Sequence, residues 1–220
     1  MLHRLAQVLN AEELSMIRNL AKDRAAFVDG AATAGAAARQ VKANRQMAPG
    51  PKTDTIRRTC ETALKRHAVF QAAAQPRRII RTLTSLYGPG DAYGLHVDDA
   101  VMGGVRSDLS FTLFLSDPDG YEGGALALQD SSGRTEVKLE AGDAVLYPTG
   151  ALHQVNPVTS GERLAFVGWV RSLVRRADQR EILFDLTVTL NTLHARDGKS
   201  AEVDALMKIR ANLLRQWAED

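Results

Sequence analysis

Between Arg78 and Val170 the chain is a succession of short strand-like runs separated by turn residues, with no helical period among them. Ile79 to Tyr87 is a β-rich run that stops at Gly88-Pro89-Gly90-Asp91, a strong turn signal. Leu109, Phe111, Leu113 and Leu115 alternate with Ser110, Thr112 and Ser116, the period of two that a strand imposes. Ala125 to Gln129, Thr135 to Leu139, Ala144 to Tyr147 and Arg163 to Val170 read as further short strands. Asp117-Pro118-Asp119-Gly120, Ser131-Ser132-Gly133, Ala141-Gly142-Asp143 and Thr159-Ser160-Gly161 break them apart. Many short strands with regular turns and no intervening helix indicate an antiparallel sandwich or barrel.

Helical patterns flank this zone. Asn10 is a candidate cap with Glu13 at the capping-box position, and Leu14, Ile17 and Leu20 recur at helical spacing. Small residues from Gly30 to Ala38 leave helix and loop in balance. Thr53 to Phe70 reads as one helix with Ile56, Cys60, Ala63, Leu64 and Val69 as its buried stripe. After the strands, Leu183, Leu186, Leu190 and Leu193 form one stripe, and Val203, Leu206, Ile209, Leu213 and Trp217 another. Asp197-Gly198-Lys199-Ser200 joins them into an expected αα-hairpin. The expected fold class is mainly β with flanking helices (α+β). Residues 1–77 form a helical support region, 78–173 the strand domain, and 174–220 a helical hairpin packed on the core.

With 220 residues and 45% hydrophobic content, the chain can bury one substantial core. A net charge of +2 gives no case for a nucleic-acid or membrane-surface partner. The single cysteine, Cys60, cannot close an intrachain disulfide, which fits a reducing cytoplasm. No signal-like segment and no run of about 18 apolar residues is present, so a soluble cytoplasmic protein is expected.

His96-Val97-Asp98 followed by His153 carries the chemistry. On a strand, residues two apart share a face, so His96 and Asp98 can reach one ion. Two imidazoles and a carboxylate can hold one side of Fe(II) and leave the other side open. His-x-Asp alone is a weak signal, and its bland reading is a structural histidine beside a solvated aspartate. Asp99 is expected on the opposite face and outside the metal set. Arg163 opens a strand that is apolar on both faces, where a guanidinium without a partner is costly. A bidentate carboxylate ligand relieves that cost, as does an internal ion pair with Asp143 or Glu140.

Further stretches add to this constellation. They are Val28-Asp29-Gly30, Thr33-Ala34-Gly35, Val41-Lys42-x-Asn44, Leu95-His96-Val97-Asp98 and Arg106-Ser107-Asp108-Leu109-Ser110. Thr112 to Ser116, Tyr121-Glu122-Gly123-Gly124, Gly142-Asp143, Leu152-His153-Gln154-Val155 and Gly161-Glu162-Arg163 follow. Over nearly its whole length the chain resembles the PKHD-type Fe(II)/2-oxoglutarate-dependent hydroxylases, bacterial relatives of prolyl and lysyl hydroxylase domains.

That resemblance implies a double-stranded β-helix, or jelly roll, with iron at its open end. It implies His96, Asp98 and His153 as iron ligands and Arg163 as the partner of the distal carboxylate of 2-oxoglutarate. Tyr87 and Tyr93 stand where relatives place a tyrosine near the co-substrate, though a tyrosine at a strand end is more often simply packing; Trp169 stands where one walls the iron site and is equally readable as core filler. The implied reaction uses dioxygen to hydroxylate an unactivated C–H of a small molecule or peptide while 2-oxoglutarate loses CO2 to become succinate. Ascorbate (vitamin C) is the implied reductant. Lys42, Asn44 and Gln46 share one face if extended and can line the entrance, or be a solvated polar face. The loop from Ala100 to Arg106, with Gly103-Gly104, is a candidate flexible lid.

Three rival readings stand beside this one. Nucleic-acid demethylases of the superfamily carry a second arginine where this chain has Trp169, and Arg171, Arg175, Arg176 and Arg180 read as a solvated helix start. A cupin-like metal-binding protein or isomerase uses the same ligands without oxygen chemistry, but has no need of Arg163. A non-catalytic interaction protein would use the C-terminal leucines as a homo-oligomer seam, where intramolecular packing is the default.

Overall fold

The structure, a computed structural model, describes residues 2–31, 39–130 and 133–219. In chain order the N-terminal part holds β1 (His3–Leu5), α1 (Ala11–Leu20), β2 (Phe27–Asp29), β3 (Lys42–Ala43), β4 (Arg45–Met47), α2 (Pro51–Arg66) and α3 (Ala68–Ala74). The strand zone holds β5 (Pro76–Tyr87), β6 (Ala92–His96), β7 (Val101–Met102), β8 (Val105–Arg106), β9 (Leu109–Phe114), β10 (Tyr121–Gly123) and β11 (Leu126–Asp130). It continues through β12 (Gly133–Val137), β13 (Ala144–Pro148), β14 (Leu152–Val155), β15 (Val158–Gly161) and β16 (Arg163–Ser172). Two helices, α4 (Ala177–Asp197) and α5 (Ala201–Trp217), end the chain.

The strands form a seven-stranded sheet in the order β1-β13-β9-β16-β5-β4-β2 and a five-stranded sheet in the order β12-β11-β14-β6-β3. This is the expected jelly-roll core with helices at both ends. The inner strands β9 and β13 of the major sheet are buried on both faces, so the simple alternation of apolar and solvated residues does not hold there: all six residues of β9 are buried. Leu109, Phe111 and Leu113 pack with Leu86, Leu164 and Phe166 against Ile17, Ile56, Cys60, Leu64 and Phe70 of the helices. Ser110 and Thr112, on the other face, line an internal cavity. Gly168 lies in the middle of β16 because a Cβ there would come within 2.6 Å of the Phe111 ring.

Asn10 and Glu13 form the expected capping box. The expected helix from Thr53 to Phe70 is instead two helices. His67 leaves the helical region and turns its Nδ1 to the Phe70 amide at 3.4 Å, while its Nε2 lies 3.0 Å from the Ala6 carbonyl. Ile56, Cys60, Ala63 and Leu64 are buried, and Val69 only partly, with Phe70 taking the core position. Most of the Gly30 to Ala38 stretch lies outside the described residues.

The C-terminal hairpin is present, and α4 packs along α3. Phe184 joins the main core and meets the His3 ring edge-on at 4.5 Å. Leu183, Leu190 and Val203 are buried, but Ile209 is 48% exposed and does not belong to the buried stripe. Arg180 is likewise not a solvated cation. Its guanidinium is buried and donates to the carbonyls of Val174 and Arg175 at 2.8 and 2.7 Å, closing the start of α4. Among the described residues, no helix is long and apolar enough to cross a membrane.

Candidate metal and co-substrate site

Two strands of the minor sheet bring the histidines together. His96 ends β6, His153 sits in β14, and the two are cross-strand partners with ring centroids 4.2 Å apart. Asp98 lies two residues beyond the end of β6, so a turn out of the strand, not strand alternation, delivers its carboxylate. Its Oδ1 is 3.8 Å from His96 Nε2 and its Oδ2 is 3.6 Å from His153 Nε2. One ligand atom from each of the three lies within 4.8 Å of the others. Ligand bonds of about 2.1 Å place neighbouring donors roughly 3 Å apart, so the Asp98 carboxylate needs to close on each imidazole by less than about 1 Å to share a metal with it.

The tautomers follow from the backbone. His96 Nδ1 lies 2.8 Å from the Gly94 carbonyl and His153 Nδ1 lies 2.9 Å from the Ala151 carbonyl. A carbonyl only accepts, so each Nδ1 carries the proton and each Nε2 presents a lone pair to the site. His96 Nε2 is buried without a hydrogen-bond partner. Burial, followed by the nearby His153, holds the His96 pKa below its ordinary value, which favours the neutral imidazole that binds metals. Ser110 Oγ donates to Asp98 Oδ2 at 2.8 Å, and Thr149 Oγ1 lies 3.2 Å from Ser110 Oγ. The Tyr93 ring stacks on His96 at 3.6 Å with 16° between planes.

Arg163 opens β16 at the other end of the same cavity and is 1% exposed. Its Nε and both Nη atoms have no hydrogen-bond partner among the described residues. The ion pair with Asp143 or Glu140 is not formed, and Asp143 accepts instead from the Gln7 amide at 2.7 Å. The guanidinium carbon lies 5.2 Å from the Tyr87 ring centroid and 5.5 Å from that of Phe114. Aromatic faces soften the cost of burying a cation without satisfying its donors. Gly124, at φ +62°, keeps this corner open: a Cβ there would meet Tyr121 Cε2 at 3.0 Å and Arg163 Cδ at 3.1 Å.

One cavity, about 850 Å³ with its mouth included, is lined by the triad, Arg163, Tyr87, Tyr93 and Trp169. Tyr87 lies beside Arg163 and Tyr93 against His96, and both tyrosines pack with Val155 and Val158. Trp169 pairs with Ser110 across the sheet, and its buried Nε1 has no hydrogen-bond partner among the described residues. Lys42, Asn44 and Gln46 all reach the cavity, as does Asp99, contrary to the expectation that it faces away; no strand continues past His96 to impose that alternation. The loop from Ala100 to Arg106 is a small hairpin of β7 and β8 turning on Gly103 and Gly104, and Met102 enters the lining. Sequence reading missed Ser110, Tyr147 and Arg81 as site residues. Only the polar phase of the Leu109 to Leu115 alternation pointed to Ser110.

A donor set of two neutral imidazoles and a carboxylate suits Fe(II), and an orphaned guanidinium suits a carboxylate. Residues 82–171 match the 2OG-Fe(II) oxygenase superfamily, and residues 178–219 match the PKHD-type hydroxylase C-terminal domain. The chain is 57% identical to a PKHD-type hydroxylase of Maricaulis maris over all of both chains. It is 50% identical to one of Parvibaculum lavamentivorans over 98% of each. A Pseudomonas putida prolyl-4-hydroxylase shares the fold at a TM-score of 0.53 and 20% identity, over 78% of this chain and 92% of that one. The chain belongs to the PKHD-type hydroxylases, oxidoreductases of the 2OG-Fe(II) dioxygenase class.

Proposed function

We propose that this chain hydroxylates an unactivated C–H of a small molecule or peptide, using Fe(II) held by His96, Asp98 and His153 and 2-oxoglutarate held by Arg163. The observation that carries the reading is the buried Arg163 guanidinium in the cavity that the triad lines, its Nε and both Nη atoms without a hydrogen-bond partner among the described residues. A buried cation with three unsatisfied donor atoms is stable only when an anion completes it, and the distal carboxylate of a dicarboxylate fits the fork. When bound, Fe(II) would supply the oxidising chemistry with 2-oxoglutarate and dioxygen as co-substrates: one oxygen atom of O2 enters the substrate C–H bond, the other enters the succinate left when 2-oxoglutarate loses CO2, and ascorbate is the reductant that restores Fe(II).

The chain's own part is positioning. The carbonyls of Gly94 and Ala151 fix the imidazoles with Nε2 inward, and Ser110 fixes the carboxylate of Asp98. Tyr93 prevents His96 from turning about its χ2, because rotation would break a 3.6 Å stack. Val167 and Trp169 wall the side of the cavity and limit water there. Residues 1–77 and 174–220 act as supports for the 78–173 domain, and Cys60, fully buried, fits work in the cytoplasm.

Iron-loaded protein incubated with 2-oxoglutarate and cell extract is expected to yield a product heavier by one oxygen together with an equal amount of succinate. Succinate formation no greater than that of Asp98→Ala contradicts the assignment.

A further inference from the structure

Asn44 stands where the chain crosses between the two sheets: β3 before it belongs to the minor sheet and β4 after it to the major one. Strand β4 pairs with β5 in a register that sets Arg45 against Leu86 and Gln46 against Ser85. Continued by one residue, that register sets Asn44 opposite Tyr87, which pairs on its other side with Arg163. Residues opposite one another in a sheet share a face, so Asn44, Tyr87 and Arg163 form one row, and all three line the cavity. Gln46, the other buried amide of this stretch, is one pleat removed and falls outside the row.

Asn44 is 5% exposed, and neither its Oδ1 nor its Nδ2 has a hydrogen-bond partner among the described residues. A buried amide in that state costs free energy until something completes it. Gly30 closes off the Oδ1 end, where an added Cβ would collide with the oxygen. The other end acts on Tyr87. Burial pushes the pKa of the Tyr87 hydroxyl up, while Arg163, and after it the Asn44 amide, pull it down. A neutral group pulls a phenol down by offering it a donor, so the N–H end of Asn44 faces Tyr87 and the Arg163 side of the cavity. A carboxylate beside Arg163 has about four acceptor sites, and the guanidinium fork fills two of them with parallel bonds. Asn44 offers the next donor in the same row, without adding charge.

We infer that Asn44 is a second residue of the co-substrate site, donating from Nδ2 to the distal carboxylate that Arg163 pairs with. This rests on the 2-oxoglutarate reading of the same cavity. Asn44 then helps select a dicarboxylate over a 2-oxo acid of equal length that lacks the distal charge. It belongs to residues 1–77, so that part of the chain contributes a binding group and does more than support the strand domain.

The test uses the full chain loaded with Mn(II), so that nothing turns over. Calorimetry gives the Kd of 2-oxoglutarate and of 2-oxopentanoate, which carries a methyl group in place of the distal carboxylate. Asn44→Ala is expected to weaken 2-oxoglutarate binding about tenfold, the scale of a lost hydrogen bond to a charged group, and to leave 2-oxopentanoate and Mn(II) within about twofold. Asn44→Asp, equal in size but an acceptor when ionised, is expected to weaken 2-oxoglutarate further and again to spare 2-oxopentanoate. Both acids are compared within one variant, so a partly unfolded sample does not mimic the result. Unchanged 2-oxoglutarate affinity in both variants, or equal weakening of the two acids, overturns the inference alone. A wild-type protein that fails to bind 2-oxoglutarate overturns the underlying site reading, and the inference with it.

Discussion

Ser110 Oγ holds Asp98 Oδ2 at 2.8 Å, joining β9, an inner strand of the major sheet, to a carboxylate that lies just past the end of β6 in the minor sheet. Asp98 lies outside any strand, so this hydroxyl is the contact that sets its rotamer. Removing such a support typically costs 10–100-fold in metal affinity. Ser110→Ala is expected to weaken Mn(II) binding by about tenfold, with the circular dichroism spectrum unchanged. Calorimetric titration of metal into apo protein checks it, and undiminished affinity would remove Ser110 from the site.

Arg163 makes the next prediction. Lysine keeps the charge but loses the planar fork that Arg163 holds between the Tyr87 and Phe114 rings. Arg163→Lys is expected to raise the 2-oxoglutarate Kd by one to two orders of magnitude, on the order of the 2 kcal/mol a charged bidentate bond carries, while Mn(II) affinity changes less than threefold. Equal losses of both would show that the residue supports the fold and does not grip the co-substrate.

The pH dependence of stability has a separate origin, at the capping box. Arg66 of α2 donates to both carboxylate oxygens of Glu13 at 2.6 and 2.5 Å, tying α1 to α2. That hydrogen-bonded pairing, only partly opposed by burial, holds the Glu13 carboxyl below its ordinary value of 4.5. A depressed carboxyl stabilises the fold above its unfolded value and loses that contribution as pH falls through the folded value. Glu13→Gln preserves the cap and removes the charge. It is expected to cost about 0.5 kcal/mol at pH 7, the scale of a partly exposed ion pair, and less at pH 3. Urea denaturation of the two proteins at both pH values measures the difference.

The repeated turns and the lack of helical period from Arg78 to Val170 made the β core readable, and Asn10 with Glu13 announced α1. The triad and Arg163 were readable because their residue types are costly to bury without a ligand. Other features depend on contacts between residues distant in sequence. His67 breaks a continuous helical pattern because it finds the Ala6 carbonyl, and Arg180 is buried because the chain before α4 turns its carbonyls toward it. Asp99 enters the cavity because β6 stops at His96. Ser110 and Arg81 look like ordinary polar positions of their strands until the register of β5, β16 and β9 puts them in one row with Trp169.

Anaerobic addition of 2-oxoglutarate to the Fe(II)-loaded protein tests the central claim most directly. Chelation of the 2-oxo acid to iron in this site is expected to produce a weak visible metal-to-ligand absorption band, lost in His96→Ala and reached only at higher 2-oxoglutarate in Arg163→Lys. A wild-type protein that binds both iron and 2-oxoglutarate yet shows no band would mean that the two do not meet between His96, Asp98 and His153, and would contradict the account.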